Sequence, residues 1–556
     1  MNGAAYIAKF LLEKKVGHVF GYPGGAILNV INAIAETKIE YVQNYHEQAS
    51  ALCADAYARI RPGAGVALAT SGPGATNLMT GIANAQFDSI PCLFITGQER
   101  TFNLRDNENI RQNGFQDMDI TDMVRPITKY AAIIKDPLQL RFELEKAWHI
   151  ATTGRKGSVL LDIPSDIQVA EVDEAKMAAF TPEVEASPAV PDIQGFLALL
   201  KAAKRPTVLV GGGIRMAGAE EALRSFLARI PMPLVATLRG LDCHEDIVAF
   251  SGTYGNTSAN LAVSNADLLI VLGARLSLMQ VGKNKEKYTH AKVVHVDIDP
   301  FEFGRALNET LSIRGEIKAF LEAVAAMPGL EALPDFSAWK AQVKEWGRRF
   351  ELNAAINTEG LDPVKVIRTL SEEFSPEAII TSDVGQNQMW VAQALTLKRG
   401  QRLLNSGGHG SMGYSLPAAI GAKFAAPARQ TIAFMGDGGL QMNIQELQLV
   451  SERKLNIKCV VLNNQTLGMI KDLQRYFKMD YHGTDARYYH CPNLELLAKA
   501  YGLRYHLIND EASLAAAAKA FHDPDPWMIE VALSNMSVLF NIYADAKVFD
   551  ENRIRD

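Results

Sequence analysis

Short apolar stretches of strand type alternate with helical stretches along the whole chain, and this alternation limits the fold more than any other feature of the sequence. It recurs in three blocks, each with a glycine-rich loop after an apolar stretch: "GVALATSGPGATNLMTGIANAQFDSIPCLFITGQ", "PTVLVGGGIRMAGAEEALRSFLARIPMPLVAT" and "QTIAFMGDGG". Strands this apolar are typical of parallel sheets that helices cover on both faces. The sequence therefore predicts an α/β protein with three doubly wound parallel-sheet domains, and with ligands at the carboxyl ends of the strands.

Two segments of different composition divide the chain. The first, "DEAKMAAFTPEVEASPAVPD" at residues 173–192, contains three prolines, and the second runs from Met327 through a charged helical stretch to about Leu361. The blocks that they separate have the usual size of a domain. We therefore expect domains at residues 1–172, 190–327 and 361–556.

Composition excludes several classes of function. The 556 residues are 48% hydrophobic and 21% charged, with a net charge of −6, which is not the basic footprint of a protein that binds nucleic acid or anionic membranes. No apolar run approaches the roughly 18 residues that cross a bilayer. The N-terminal stretch lacks a signal-peptide cleavage pattern, and the five cysteines include no CxxC pair. We therefore expect a cytoplasmic protein with buried thiols and no nucleic-acid or membrane partner.

The stretch "GDGG" at residues 436–439 places Asp437 between a strand-type run and a helix. On its own, Asp-Gly favours a turn, and Asn464 on its own favours a helix cap. Asn464, however, ends the next strand-type run, 464 − 437 = 27 residues further on, which is the spacing of one crossover between parallel strands. Mg²⁺ prefers one or two protein oxygens together with phosphate oxygens, and a helix N-terminus binds phosphate. The pair therefore favours a Mg²⁺–phosphate site.

Longer segments around these residues resemble the acetohydroxyacid synthase (acetolactate synthase) family of thiamine diphosphate enzymes. "GDGGLQMNIQELQLVSERKLNIKCVVLNN" is similar to the GDG-to-NN thiamine diphosphate fingerprint, and "FGYPGGAIL", "TSGPGATNLMTGIANA", "LLDIPSDIQ", "HVDIDP", "DVGQNQMW" and "MGYSLPAAIGA" follow in family order. The resemblance covers essentially the full length. It implies a pyrimidine-binding domain, a central Rossmann-like domain and a diphosphate-binding domain.

The resemblance also implies the residues of a cofactor site. The side chains of Asp437 and Asn464 and the backbone carbonyl of Thr466 correspond to Mg²⁺ ligands. Met412 corresponds to the apolar residue that holds the cofactor bent, and Asn387 stands where the family usually has His. The other implied thiamine diphosphate contacts are Gly24, Gly25, Gly385, Gln386, Gly436, Gly438, Gly439 and Met469.

Glu47 matches the glutamate that hydrogen-bonds the pyrimidine ring of the cofactor. A carboxylate there favours the tautomer that removes the thiazolium C2 proton, whereas "HEQ" on a helix is otherwise typical of a surface charge pair. In the family this glutamate meets the Mg²⁺ site across a subunit interface, which implies a homodimer or homotetramer. Phe115, Gln116 and Lys129 match residues that line the reaction pocket, although a lysine such as Lys129 is equally typical of a solvated surface.

The middle block resembles the FAD-binding domain of the family, in which the flavin has no redox step in the ligation. A single GGG loop is also typical of a tight turn, but four segments lie in register with the family's flavin contacts. Some relatives keep this domain without a flavin or with another nucleotide. The implied contacts are Gly211, Gly212, Gly213, Thr237 in "ATL", Gly273, Arg275 and Asp297.

The sequence departs from the family at the acceptor site. The synthases carry an Arg in "GARFDDRVTG" and a Trp in "GMVxQWQ", both used to recognise the second keto acid, where this chain has Met279 and Leu473. A thioether cannot replace a guanidinium as the partner of a carboxylate. A longer segment at 99–113 adds Arg100, Arg105 and Arg111. Either the acceptor has changed, or one of these arginines replaces the missing one in space.

The function implied is a thiamine diphosphate-dependent carboligase. It would decarboxylate a 2-keto acid, pyruvate in the first instance, and transfer the two-carbon unit to an acceptor carbonyl, either a second keto acid giving acetolactate or a keto-sugar or aldehyde. The alternatives are a 2-keto acid decarboxylase, a flavin-linked pyruvate oxidase, and a cofactor-binding relative without activity. Retention of Glu47, Asp437 and Asn464 together disfavours the last.

Overall fold

The computed structural model of the chain describes residues 1–105, 107, 109–183, 192–283, 285, 288–350, 355–356, 360–536 and 538–539. Residues 184–191 of the first predicted linker and residues 540–556 at the end of the third predicted domain lie outside the described residues.

The first domain contains a six-stranded parallel sheet in the order β2-β1-β3-β4-β6-β5. Strands β3 and β4 are buried along their whole length, as central strands covered on both faces are. The strands are β1 (His18–Gly21), β2 (Glu40–Gln43), β3 (Gly65–Ala69), β4 (Cys92–Gln98), β5 (Tyr130–Ile133) and β6 (Ser158–Pro164). The helices are α1 (Gly3–Glu13), α2 (Leu28–Ala35), α3 (Glu47–Ile60), α4 (Pro73–Asn77), α5 (Met79–Phe87), α6 (Ile120–Val124), α7 (Leu140–Thr152) and α8 (Ser165–Val169).

The middle domain contains a five-stranded parallel sheet in the order β11-β10-β9-β7-β8. Its strands are β7 (Pro206–Val210), β8 (Leu234–Ala236), β9 (Leu268–Leu272), β10 (Lys292–Asp297) and β11 (Leu311–Arg314). Its helices are α9 (Ile193–Ala202), α10 (Gly213–Met216), α11 (Glu220–Arg229), α12 (Thr257–Ser264), α13 (Leu278–Val281), α14 (Ile317–Ala325) and α15 (Ser337–Arg349). Helix α15 lies in the second predicted linker and packs on α12 through the buried Trp339, Val343 and Trp346.

The third domain contains a six-stranded parallel sheet in the order β14-β13-β15-β16-β18-β17, and the short β12 (Ala355–Ile356) and β19 (Val538–Leu539) pair antiparallel beside it. Its strands are β13 (Ile379–Ser382), β14 (Arg402–Asn405), β15 (Thr431–Gly436), β16 (Ile457–Asn463), β17 (Arg504–Ile508) and β18 (Trp527–Ala532). Its helices are α16 (Pro363–Ser371), α17 (Gln386–Ala394), α18 (Ser415–Ala425), α19 (Asp437–Met442), α20 (Leu447–Glu452), α21 (Gly468–Tyr476), α22 (Leu494–Ala500), α23 (Glu511–Ala516) and α24 (Ala518–His522). The prediction of three parallel-sheet α/β domains is confirmed.

Helix α3 is the central element of contact between the first and third domains. A Cβ atom on Gly81 of α5 would lie 2.2 Å from Ala51 Cβ, and one on Gly421 of α18 would lie 2.1 Å from the backbone oxygen of Cys53. Only glycine allows these helices to approach α3 so closely. The position of α3, and with it that of its first residue, Glu47, is therefore fixed by packing from two domains.

A buried ionic network joins all three domains. Arg59 of α3 donates to Asp55 at 2.7 Å and to Asp88 at 2.8 Å, and also to the backbone oxygen of Asn405 in the third domain at 3.0 Å. Arg239 of the middle domain pairs with the same Asp88 at 2.9 Å. Because both arginines hold the Asp88 carboxyl in its charged form, its pKa is lowered to about 2 despite burial.

Among the described residues, no helix has the length and apolarity that crossing a membrane requires.

Candidate active site

The carboxyl ends of β15 and β16 bring the two predicted metal-binding side chains to one edge of the third sheet. The strands pair with Gly436 opposite Leu462, so Asp437 and Asn464 follow them directly. Asp437 begins α19 and is 2% exposed, and its Oδ2 has no hydrogen-bond partner among the described residues. Burial raises the pKa of this carboxyl to about 6, although the Tyr489 hydroxyl and nearby backbone N–H groups lower it. A buried carboxylate oxygen without a partner fits a bound cation.

The side chain of Asn464 is oriented by a neighbouring amide. Its Nδ2 donates to Oε1 of Gln386 at 2.9 Å, which leaves its oxygen as the atom able to ligate a cation. Gln465, between Asn464 and Thr466, has a φ of 54°, a strained conformation typical of functional loops. The structure contains no cluster of three or more His, Cys, Asp and Glu side chains suited to a metal within its described ranges, so a cation here needs amide or backbone oxygens beside Asp437.

Glycines surround the space beside the first turn of α19. Gly385 has a φ of 132°, which favours glycine, and precedes α17. A Cβ atom on Gly438 would lie 3.5 Å from Met412 Cε, and one on Gly436 would lie 3.3 Å from Nδ2 of Asn387. The free backbone N–H groups at the start of α17 therefore lie close to the glycines of the "GDGG" stretch, an arrangement that suits a phosphate group.

Asp383 holds the loop that carries Met412, and the sequence analysis did not single it out. Its carboxylate accepts hydrogen bonds from the backbone N–H groups of Gly413 and Ser415, each at 2.9 Å. It is 1% exposed, and burial raises its pKa to about 6. A Cβ atom on Gly439 would lie 2.6 Å from its Oδ1, so the same carboxylate packs against the "GDGG" stretch. Its signal in the sequence is an acid directly after a strand and before a glycine loop.

Glu47 belongs to a second group of residues, in the first domain. It is 7% exposed, and Nδ2 of Asn77 donates to its Oε2 at 2.9 Å. A Cβ atom on Gly74 would lie 3.3 Å from its Oε1. Gly24 packs tightly on the loop that follows β3, whereas a Cβ atom on Gly25 would meet no described atom within 4 Å apart from its chain neighbours. Asn77, which the sequence analysis did not single out, therefore fixes one of the two carboxylate oxygens.

The three residues predicted to line a reaction pocket are placed differently. Gln116 has a φ of 61°, and its Oε1 accepts from Ser71 Oγ at 3.3 Å in the loop before α4. Phe115 beside it is 82% exposed. The Nζ of Lys129 donates to two backbone carbonyls at the C-terminal end of α7. The role of Lys129 in a reaction pocket stays a prediction.

A cavity of about 860 Å³ lies where the three domains meet. Its volume is in the range of small-molecule and cofactor sites. Gly211 packs behind its wall, since a Cβ atom there would lie 2.2 Å from the backbone oxygen of Gly273. The predicted flavin-contact residues that line the cavity are Gly212, Gly213, Thr237, Gly273, Arg275 and Asp297.

Three arginines line one part of this cavity. Arg155 pairs with Asp299 at 2.5 Å, and Arg239 with Asp88. The side chain of Arg275 makes no hydrogen bond or ion pair with any residue in the part of the chain that the structure describes. Burial lowers the pKa of this guanidinium. A half-buried guanidinium that makes no hydrogen bond or ion pair with the described residues suits an anionic ligand such as a phosphate group.

The cavity reaches the third domain, and its lining includes three apolar side chains from the middle and third domains, here called the apolar wall. These are Met279, Met469 and Leu473, beside Gly385 of the loop before α17. Both positions at which the sequence departs from the family therefore share one cavity with the predicted flavin contacts. The inserted arginines are Arg100, Arg105 and Arg111, and none of them is among the described residues that line the cavity. One of them could therefore replace the missing guanidinium only from a second copy of the chain.

The same three-part organisation is found in a known class of enzymes. Family profiles match residues 1–123 (thiamine pyrophosphate enzyme, N-terminal TPP binding domain), 193–324 (central domain) and 383–531 (C-terminal TPP binding domain). Thiamine pyrophosphate is thiamine diphosphate under another name. The chain belongs to the thiamine pyrophosphate enzyme family.

Within this class the chain is similar to acetolactate synthases over nearly its full length. It is 35% identical to the acetolactate synthase large subunit of Lactococcus lactis, with 96% of this chain and 92% of that protein covered. It is 34% identical to the acetolactate synthase isozyme 2 large subunit of Escherichia coli, with 96% of both covered. A probable acetolactate synthase large subunit of Methanocaldococcus jannaschii is 34% identical, with 97% and 93% covered. The resemblance to the acetolactate synthase family is thereby confirmed, and the chain is a thiamine diphosphate-dependent enzyme of that type.

Proposed function

We propose that the chain is a Mg²⁺-dependent carboligase. It removes CO₂ from a 2-keto acid, pyruvate, and joins the remaining two-carbon unit to the carbonyl carbon of an acceptor. The observation that carries this proposal is the buried Oδ2 of Asp437, which has no hydrogen-bond partner among the described residues, beside the oriented amide of Asn464 and a set of glycines. The names of the relatives support it, since they are named for the synthesis of acetolactate.

Each residue of the site would have its own role in the proposed reaction. Bound thiamine diphosphate supplies the carbon nucleophile. Asp437, Asn464 and the backbone carbonyl of Thr466 would hold Mg²⁺, and the N–H groups at the start of α17 would bind the diphosphate. Glu47 would hold a proton at Oε1 toward the pyrimidine ring, while Asn77 keeps its other oxygen in place.

We propose FAD as the ligand of the cavity between the domains. The guanidinium of Arg275, which makes no hydrogen bond or ion pair with the described residues, and the close backbone approach at Gly211 and Gly273 support a diphosphate-containing ligand there. The flavin takes no part in the ligation. An absorbance spectrum of the purified protein tests this assignment, since bound flavin colours the protein yellow and an empty site does not.

We propose that two chains form each active site, in a homodimer or homotetramer. Two features support this arrangement: Glu47 and Asp437 lie in different domains, and the aromatic side chain of Phe115 in the first domain is 82% exposed. In such an oligomer, the Glu47 group of one chain would lie next to the Asp437 group of another chain. Sedimentation of the purified protein measures the oligomeric state directly.

The acceptor of the reaction has two candidates. The apolar wall formed by Met279 and Leu473 favours a neutral carbonyl, such as a keto-sugar or an aldehyde, because a carboxylate finds no cation at these positions. The names of the relatives favour a second keto acid, which gives acetolactate. Mass spectrometry of the product from labelled pyruvate, alone and with each acceptor, separates the two.

The same experiment tests the carboligase itself. We expect a product with a new C–C bond that depends on thiamine diphosphate and Mg²⁺ and is lost in Glu47→Gln. Free aldehyde without coupled product would indicate a simple decarboxylase, and acetate with peroxide would indicate an oxidase. Absence of thiamine diphosphate binding in calorimetry would indicate a relative without this activity.

A further inference from the structure

A chain of hydrogen bonds connects helix α21 with the loop after β16. Nδ2 of Asn464 donates to Oε1 of Gln386 at 2.9 Å, and Nε2 of Gln386 donates to Oδ2 of Asp472 at 2.5 Å. The other oxygen of Asp472 accepts from Nη1 of Arg475 at 3.1 Å. Asn464 and Gln386 are 5% and 4% exposed, so these bonds lie mostly away from water, where an unpaired polar group is costly.

The chain of bonds has a fixed direction. A carboxylate only accepts hydrogen bonds, so Asp472 selects the NH₂ side of the Gln386 amide. The carbonyl side of Gln386 must then face Asn464, and it selects the NH₂ side of that amide in turn. The oxygen of Asn464, which is the atom able to ligate Mg²⁺, is thereby kept free of Gln386.

The backbone of α21 packs directly on this chain of bonds. A Cβ atom on Gly468, the first residue of the helix, would lie 1.8 Å from Oε1 of Gln386 and 2.9 Å from Nδ2 of Asn464. The same helix carries Met469 and Leu473, which line the cavity. The metal-site amide and the apolar cavity wall are therefore attached to one short helix.

We propose that Asp472 is a positioning residue: through Gln386 it sets the orientation of the Asn464 amide and holds α21 against the metal site. The proposal rests on the proposed function, because it takes Asn464 as a Mg²⁺ ligand. Binding of Mg²⁺ with thiamine diphosphate then also orders the helix that carries the acceptor-side wall.

The main test is the affinity for Mg²⁺, measured by titration calorimetry of the full chain in the presence of thiamine diphosphate. Asp472→Leu removes both acceptor oxygens at similar size, and we expect about tenfold weaker Mg²⁺ binding, the usual effect of losing a group that orients a metal ligand. Asp472→Asn keeps one acceptor oxygen and is expected to restore most of the affinity. Asp122→Leu is the matched control, since Asp122 pairs with Arg125 at the same spacing on the exposed surface of α6.

A second variant tests whether Asp472 influences Mg²⁺ binding through Gln386. Because Asp472 acts through Gln386, Gln386→Met should weaken Mg²⁺ binding on its own, and Asp472→Leu added to it should change the affinity by less than about twofold. Hydrogen exchange of residues 468–476 provides a readout independent of activity. We expect Mg²⁺ with thiamine diphosphate to slow it in the wild type and less in Asp472→Leu.

The outcomes separate this inference from the proposed function. If the wild type itself does not bind thiamine diphosphate with Mg²⁺, the proposed function fails and the inference with it. If the wild type binds and Asp472→Leu binds Mg²⁺ equally well, the inference alone is overturned. Full additivity of the two substitutions likewise contradicts a route through Gln386. Thermal melting of each variant without Mg²⁺ identifies any that has lost its fold; if Asp472→Leu has, Gln386→Met carries the test, and unchanged Mg²⁺ binding in that variant overturns the inference.

Discussion

A shared active site makes a quantitative prediction about mixtures of two inactive variants. Glu47→Gln removes the proton-holding carboxyl of the first domain, and Asp437→Asn removes the buried carboxylate of the metal cluster. Each variant alone should lose nearly all coupled product, because every site contains one damaged group. If each site combines Glu47 of one chain with Asp437 of another, a mixed dimer contains one site with both defects and one site with neither.

The size of the recovery follows from the symmetry of such a dimer. Random pairing of the two variants gives mixed dimers about half of the time, and about half of the sites in these are intact, so activity should recover to about one quarter of the wild type. The same fraction holds for a tetramer built from two such dimers. The two groups occupy different domains, and α3, which begins with Glu47, is locked by close packing, so neither substitution is expected to move the other group.

Co-expression of the two variants in equal amounts, with different affinity tags, provides the randomly paired sample, and tandem purification of a separate portion demonstrates that mixed oligomers are present. Coupled product from labelled pyruvate is then measured per site. The matched control co-expresses Asp437→Asn with Asn464→Ala: both lie in the metal cluster, so each site keeps one defect and no activity returns. No recovery in the mixed Glu47→Gln and Asp437→Asn sample, with mixed oligomers present, would refute an active site shared between chains.

Further predictions concern single groups. Gly385→Ala, at a φ of 132°, should cost about 1–3 kcal/mol in loop strain and weaken thiamine diphosphate binding in calorimetry. Arg275→Leu should lower the flavin absorbance of the purified protein, because it removes a cation without another partner among the described residues; an unchanged spectrum contradicts the assignment. Met279→Arg combined with Leu473→Trp should raise the share of acetolactate formed from pyruvate alone, and a lower share contradicts a role of this wall in acceptor choice. Asp162 is 1% exposed, and burial raises its pKa from 3.8 to about 7; the folded state therefore keeps a proton that the unfolded chain has lost, and stability falls as the pH rises from about 4 to about 7. Relative to Asp162→Asn, the wild type should lose roughly 2 kcal/mol between about pH 5 and pH 7 in urea unfolding, and parallel pH profiles would contradict this.

The parts of the fold that depend on local composition could be predicted from the sequence. Buried parallel strands are recognisable because they are apolar throughout, and the crossover rule placed Asp437 and Asn464 after neighbouring strands, where β15 and β16 carry them. The turn rule for Asp-Gly does not hold here, because Asp437 begins α19. The glycines after it serve close approach in this case, as Gly439 against Asp383 demonstrates.

Side chains that act through contacts between distant segments could not be predicted. Asn77 reaches Glu47 over 30 residues, and Gln386 reaches Asp472 over 86, so no local pattern connects them. Their orientation depends on which helix ends meet, and that is decided by tertiary packing, such as that of Gly468 against Gln386. Sequence patterns identify the residues that belong to a motif more readily than the partners outside it that orient them, such as Asn77 and Asp472.

The relation between the two departures from the family, Met279 and Leu473, becomes visible only in the fold. Met279 and Leu473 are 473 − 279 = 194 residues apart, in different domains, and in the sequence they are two unrelated substitutions. In the structure they line one cavity, next to the loop that precedes α17. With apolar residues at both positions, neither side chain supplies a charged or hydrogen-bonding partner to a carboxylate. The acceptor is therefore expected to differ from a free keto acid at the end that meets the apolar wall.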